Sequence, residues 1–304
     1  MKKKIISIFN LFFIFSIVTA QNYNDLSHLD LNYQIPVKTE DEIITFQKID
    51  FDGNLGIPLF SNNLGVGVLN LGGNILGVQL KSEDTTEYGL FYKTCAGYTF
   101  IRKSSRFQRI RTTLFIKPTI SSDFKDINKY DLFGEAGFQF GLRIHRNLLY
   151  SFGIKYSMQA FGGYLMPTLG FRWNPNRFFQ TYAELPESFG VEFMVLKRFN
   201  LGFQYKSYLT TYRRSAENEH AFLQIASDNA TAFIDYFWKQ NWIIRFQAGY
   251  ARENTFLYYN YSDNYVLNIA KFYFRGEMPE PTSTDVRDGI VVCLALKYRL
   301  YYDN

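Results

Sequence analysis

From about residue 27 to its C-terminus the chain alternates apolar and polar residues with a period of two. Leu29, Leu31, Tyr33, Ile35 and Val37 share one parity, against His28, Asp30, Asn32 and Gln34 on the other. Leu148, Tyr150, Phe152, Ile154, Tyr156 and Met158 oppose Ser151, Gly153, Lys155, Ser157 and Gln159. Trp242, Ile244, Phe246, Ala248 and Tyr250 oppose Arg245, Gln247 and Gly249. Successive side chains of a strand point to opposite faces, so this pattern predicts strands with one apolar and one polar face. Many segments run for about nine to twelve residues, close to the length a tilted membrane-crossing strand needs.

Segmenting on this basis yields about 14 strands, near 27–37, 42–55, 63–72, 90–102, 107–120, 131–145, 148–159, 164–174, 177–185, 188–198, 200–211, 229–239, 241–250 and 289–302. Regions 55–75 and 177–198 alternate poorly, which leaves about 12 strands as the alternative. An even count places both termini on one side. Tight polar breaks at His145-Arg146-Asn147, Asn174-Pro175-Asn176, Lys197 to Asn200 and Lys239-Gln240-Asn241 read as periplasmic turns. The longer breaks, Lys81 to Tyr88, Tyr212 to His220 and Ala251 to Arg287, read as extracellular loops, the last a candidate lid or insert. Pro167 falls inside the eighth strand and calls for a bulge or a kink to absorb it.

The start of the chain changes the picture. Met1-Lys2-Lys3-Lys4 is a basic region, Ile5 to Val18 is rich in apolar residues, and Val18-Thr19-Ala20 supplies small residues before Gln21. Residues 1–20 therefore read as a cleaved signal peptide, and 21–304 as a single exported domain. No later apolar run is long enough for a transmembrane helix. Exported, amphipathic strands without such a helix indicate an all-β fold, a transmembrane antiparallel β-barrel of the outer membrane. Composition agrees: 31 Phe and 23 Tyr bring the aromatic share to 19%, which suits a lipid face with interfacial girdles. The net charge of +5 falls to +2 once the three signal lysines are removed (5 − 3), too little to indicate nucleic acid. The expected partners are outer-membrane lipid and the assembly machinery that inserts barrels.

Parity then assigns the lumen. Arg111, Lys117, Glu135, Arg143, Lys155, Lys206, Asp235, Arg245, Lys297 and Arg299 fall on the inward face, with Lys48, Asp50, Lys93, Arg172 and Glu192. Two readings stay open for them: a salt-bridge network packing a narrow barrel, or a water-filled pore. The excess of 11 Lys and Arg over 4 acids in this set favours anionic solutes in a pore.

Chemistry finds little support. Only three histidines are available, and His28 and His145 lie toward the periplasmic side. His220, near Ser215, Glu217 and Glu219, is the one candidate cluster for an outer-membrane hydrolase, and a loop histidine beside acids is ordinarily a solvated surface. Cys95 and Cys293 lack metal-type spacing and read as two inert thiols. The glycines of Gly65-Val66-Gly67 and Leu71-Gly72-Gly73-Asn74 open no helix, so they read as strand kinks rather than phosphate loops. No cofactor is expected.

Two stretches carry resemblances. Leu296-Lys297-Tyr298-Arg299-Leu300-Tyr301-Tyr302 resembles the terminal strand signal of outer-membrane barrels, with Asp303-Asn304 following where that signal ends on an aromatic. Leu165-Met166-Pro167-Thr168-Leu169-Gly170-Phe171-Arg172-Trp173-Asn174-Pro175-Asn176, followed by Leu185-Pro186, resembles the strand-and-turn signature of a Gram-negative outer-membrane barrel domain family of unknown function. The resemblance implies fold and location and brings no catalytic or binding residues. The expectation is thus a structural or channel-like barrel that passes small anionic solutes. The alternatives are a surface binding or adhesion protein working through 251–287 and, third, a hydrolase.

Overall fold

The computed structural model describes residues 22–36, 48–62, 65–81, 86–103, 109–214, 221–239, 241–258, 266–269, 272–275 and 283–302. The signal segment, the His220 cluster and the final two residues lie outside them. The strands are β1 (Asn22–Pro36), β2 (Lys48–Asn62), β3 (Gly65–Lys81), β4 (Thr86–Lys103), β5 (Ile110–Ser122), β6 (Leu132–His145), β7 (Leu148–Gln159) and β8 (Gly162–Asn176). They continue with β9 (Phe179–Leu185), β10 (Ser188–Leu196), β11 (Phe199–Arg213), β12 (Phe222–Phe237), β13 (Trp242–Tyr258), β14 (Val266–Ile269), β15 (Phe272–Arg275) and β16 (Ser283–Tyr302).

Fourteen of these strands form one closed antiparallel barrel. Each of β1 to β13 pairs with its sequence neighbour, and β16 closes the ring between β13 and β1. The β14–β15 hairpin stands outside the ring and pairs in parallel with Gly162–Leu165 of β8. The expected strands appear in the expected order, with corrected bounds. β3 and β4 run on to Lys81 and from Thr86, and β12 begins at Phe222. The segment 251–287 is not one irregular loop, because β13 continues to Tyr258, β16 begins at Ser283, and β14 and β15 lie between. Tyr212 and Arg213 likewise belong to β11 rather than to a loop.

The exterior is apolar all the way round. Leu31, Phe51, Leu71, Leu90, Leu114, Phe138, Phe152, Leu169, Leu185, Phe193, Leu201, Ile234, Phe246 and Leu294, one from each ring strand in turn, are 38 to 66% exposed. A continuous exposed apolar band is unaffordable in water and expected in lipid. The first and last described residues, Asn22 and Tyr302, lie at one end, where the strands are joined by the segments 63–64, 104–109, 146–147, 177–178, 197–198 and 238–241. Rings cluster near that end, with Trp173–Phe179 at 5.8 Å, Phe199–Tyr236 at 5.1 Å and Trp242–Tyr298 at 5.2 Å between centroids. This is the girdle that a membrane interface selects.

One irregularity shapes the interior. The β9–β10 hairpin is short, and it turns back where Leu169 pairs Leu185 and Lys206 pairs Ser188. Above it, the last seven residues of β11 (207–213), roughly 23 Å of strand, extend past β10, and the facing edge of β8 pairs only with β14, at Gly162–Leu165. Pro167 sits in this gap, between Leu165, the last partner of β14, and Leu169, the first partner of β9. Its register with β7 runs without a shift, so no bulge is needed: a strand edge without a neighbour tolerates proline.

Candidate functional site

The freed edge of β11 turns into the barrel. Its backbone is held by groups on the inner face of β5 and at the β7–β8 turn. Ser121 Oγ donates to the Thr211 carbonyl at 2.8 Å, and Asp123 N–H donates to the Arg213 carbonyl at 3.1 Å. Ala160 N–H donates to Thr211 Oγ1 at 3.1 Å, and Thr211 Oγ1 donates to Gln159 Oε1 at 2.9 Å. Gly162, at φ +127°, supplies the positive backbone angle that lets the two-residue turn before it fold over this edge. Phe161 then packs with Phe222, Leu209 and Tyr164.

An ion pair fastens the same corner. Arg213 binds Asp131 through two nitrogens, one contact at 3.2 Å, and also reaches the Asp126 carbonyl. Both side chains are almost wholly buried, at 3% and 1% exposure. Asp131 is itself placed by a short 3-10 turn (Lys129–Asp131), where it accepts from Asn128 N–H at 2.8 Å.

Tucking this edge in brings opposite walls together. β4 and β11 lie seven strands apart in a ring of fourteen, yet Phe91 and Tyr212 stack with ring centroids 5.5 Å apart. Leu76 and Val78 of β3 and Leu223 and Ile225 of β12 complete an apolar cluster across the lumen, each at most 2% exposed. Polar contacts cross just beneath. Tyr212 Oη donates to Asn74 Oδ1 at 2.9 Å, Lys48 Nζ to Tyr208 Oη at 3.3 Å and Lys93 Nζ to Thr210 Oγ1 at 3.3 Å.

Below this seal lies a chamber of about 570 Å³, whose lining includes Leu76, Tyr212 and Ile225. Lys48, Lys93, Lys117 and Lys206 face Asp30, Asp50 and Asp52 there, among many amides and hydroxyls. His28 Nε2 donates to Asp52 Oδ2 at 2.9 Å. Toward the terminal end a second cavity of about 380 Å³ shares His28, Asp30, Gln204 and Lys206 with the first. Arg245 forks onto Asp235 at 2.6 and 2.7 Å and stacks over Phe233 at 3.7 Å. Arg299 joins Asp25 at 2.7 Å and Glu192 at 3.3 Å, reaching from β16 to β10.

Among the lumen candidates from parity, Lys117 and Lys206 line the larger chamber with Lys48, Asp50 and Lys93. Lys206, Arg245, Lys297 and Arg299 line the second with Arg172 and Glu192, while Asp235 is wholly buried beneath Arg245. Arg111 lines a third cavity of about 260 Å³ with Arg172. Glu135 pairs Lys117 at 3.6 Å, and Lys155 pairs Glu184 at 3.0 Å and also Glu187. Arg143 is half-buried at the end of β6. Sequence reasoning missed the seal. Its one local trace was the appearance of Leu76, Val78, Leu223 and Ile225 on the inward parity that elsewhere carries polar residues. Cys95 and Cys293 are free, and no group of three His, Cys, Asp or Glu among the described residues could hold a metal ion.

A family model described as a domain of unknown function, DUF6268, matches residues 105–262. The chain belongs to this family. That agrees with the signature at 165–176 and supplies no activity. No functionally curated protein matches the chain. Among solved structures it is similar to the KdgM porin in complex with disordered oligogalacturonate, at 6% identity and TM-score 0.36, covering 89% of this chain and 98% of that one. The NanC porin is similar at 8% identity and TM-score 0.38, covering 90% and 100%. The outer membrane channel DcaP of Acinetobacter baumannii is similar at 7% identity and TM-score 0.30, covering 94% and 99%. At such scores the assignment of a barrel rests on the chain's own strand pairing.

Proposed function

We propose that this protein is an integral outer-membrane barrel whose lumen is a gated path for small polar solutes, anions above all. The termini and short turns face the periplasm, the end with longer connections faces the exterior, and residues 1–20 are the export signal. The observation that carries the reading is an apolar seal stacked on a polar, lysine-lined chamber within one lumen. Water and ions fill a chamber of that kind, whereas an apolar constriction excludes them until it opens. The gate is the tucked corner of β11 and β12, where β11 keeps its ladder to β12 and has outgrown its ladder to β10.

The test is conductance in planar bilayers of the purified barrel and of a Phe91→Ala/Tyr212→Ala double variant. The expected result is brief, rare openings for the native protein and stable, anion-preferring conductance for the variant. Silence from both, with heat-modifiable migration intact, overturns the passage reading. It leaves the second reading, surface binding, which the anchoring of β14 on β8 favours because it holds part of segment 251–287 against the rim.

A further inference from the structure

The second cavity is lined by two ammonium groups that form no ion pair among the described residues. Lys297 stands on β16 opposite His28 of β1, is only 8% exposed, and lines the cavity of about 380 Å³. Lys206 of β11, three strands along the wall, also lines it. Neither side chain makes a hydrogen bond or an ion pair among the described residues. Lys206 is exposed to the lumen, whereas Lys297 is buried, and a buried cation without a close partner is costly, so Lys297 calls for a counter-charge that Lys206 can share.

The neighbouring carboxylates are engaged elsewhere. Asp235 is taken by both forks of Arg245, and Asp25 and Glu192 share Arg299. Asp30 also lines the cavity, outside ion-pairing reach of either lysine, and its Oδ1 is buried without any hydrogen-bond partner. The cavity thus offers two cationic donors and one idle acceptor. A bare anion would satisfy the first and leave the second. A group carrying both anionic oxygens and a hydroxyl satisfies both.

We infer that this cavity is a binding site for a small hydroxylated oxyanion, a hydroxycarboxylate or hydrogen phosphate, held by Lys297 and Lys206 with its hydroxyl donating to Asp30. Charge-assisted bonds to the two ammonium groups supply most of the attraction, and the Asp30 contact selects for the hydroxyl. The inference rests on the reading of the lumen as a solute path, and names a station on it.

The test is calorimetric titration of the folded, detergent-solubilised barrel in chloride-free buffer with lactate, propionate and inorganic phosphate. Saturable binding of lactate or phosphate is expected, and which of the two binds tells the source of the oxyanion. Propionate, which lacks the hydroxyl, should bind about tenfold more weakly than lactate. Lys297→Met should weaken binding at least tenfold, and Lys129→Met, on the surface, should leave it unchanged. Should Lys297→Met lose heat-modifiable migration, Lys206→Met serves in its place. Absence of saturable binding by lactate and phosphate, or binding indifferent to the lysine variants, overturns the site. This readout needs no conductance, so silence in the bilayer would defeat the passage reading and leave the site standing.

Discussion

The Asp131–Arg213 pair is the fastening whose removal should reveal whether the lumen is gated. Asp131→Ala strips Arg213 of its carboxylate partner among the described residues while leaving the guanidinium buried at 3% exposure. It also removes the acceptor for Asn128 N–H. Breaking a buried pair by deleting one partner costs about 3–5 kcal/mol. Two features place this case at the lower end. Arg213 Nη1 already lacks a partner, so the native pairing is incomplete, and the Asp126 carbonyl still accepts from Nη2. At about 3 kcal/mol, the tucked corner would loosen relative to the rest of the barrel by roughly a hundredfold. The cost falls on β11 beyond Lys206, where no ladder to β10 opposes it, and the remaining ring is untouched. Amide exchange of residues 207–213 should therefore accelerate by about that factor, while amides in β5 to β7 keep their protection. Bilayer conductance should rise in step. Unchanged exchange in β11, or faster exchange with no rise in conductance, would refute the link between this latch and the seal.

Two further outcomes test the architecture. Asp235→Ala strands Arg245 in the lower lumen, where Gln204 at 3.4 Å and the Phe233 ring are its remaining company, so urea unfolding in bilayers should show a loss of about 3 kcal/mol. The double variant Asp235→Leu/Arg245→Met should recover much of that loss, because apolar groups need no counter-charge. Ile154→Arg places a charge on the outward face midway along β7, at a position 43% exposed. Folding into lipid should weaken by about 2–4 kcal/mol, and a loss below about 1 kcal/mol would argue against lipid at that position.

How far the sequence carried the fold is clear from particular residues. Lys297 and Arg299 fell on the inward parity of the last strand, and the structure places both in the lower cavity. Tyr212 was assigned to a loop, because Tyr212-Arg213-Arg214-Ser215 carries no alternation and two arginines look like a solvated break. In the structure Tyr212 is 3% exposed and Arg213 is buried against Asp131, since the acid that welcomes it comes from a connection about eighty residues earlier. The hairpin ranges 177–185 and 188–198 were also legible, and their shortness was visible in the numbers. What that shortness does to β11 was not.

Strand parity and the apolar exterior follow from the sequence by itself, because a period of two is local: each residue's face depends only on its neighbours along the chain; the choice of 14 strands over 12 came with the pairing. The state of the lumen does not follow. Asn74 and Leu76 share the inward parity of β3, and nothing local says that one will line the polar chamber and accept from Tyr212 Oη while the other packs into the apolar cluster with Tyr212 and Ile225. That was decided by the tertiary structure, when a hairpin too short to span the wall freed the edge of β11. The freed edge then crossed to β4, half a ring away, burying apolar surface that an open barrel would have left in water.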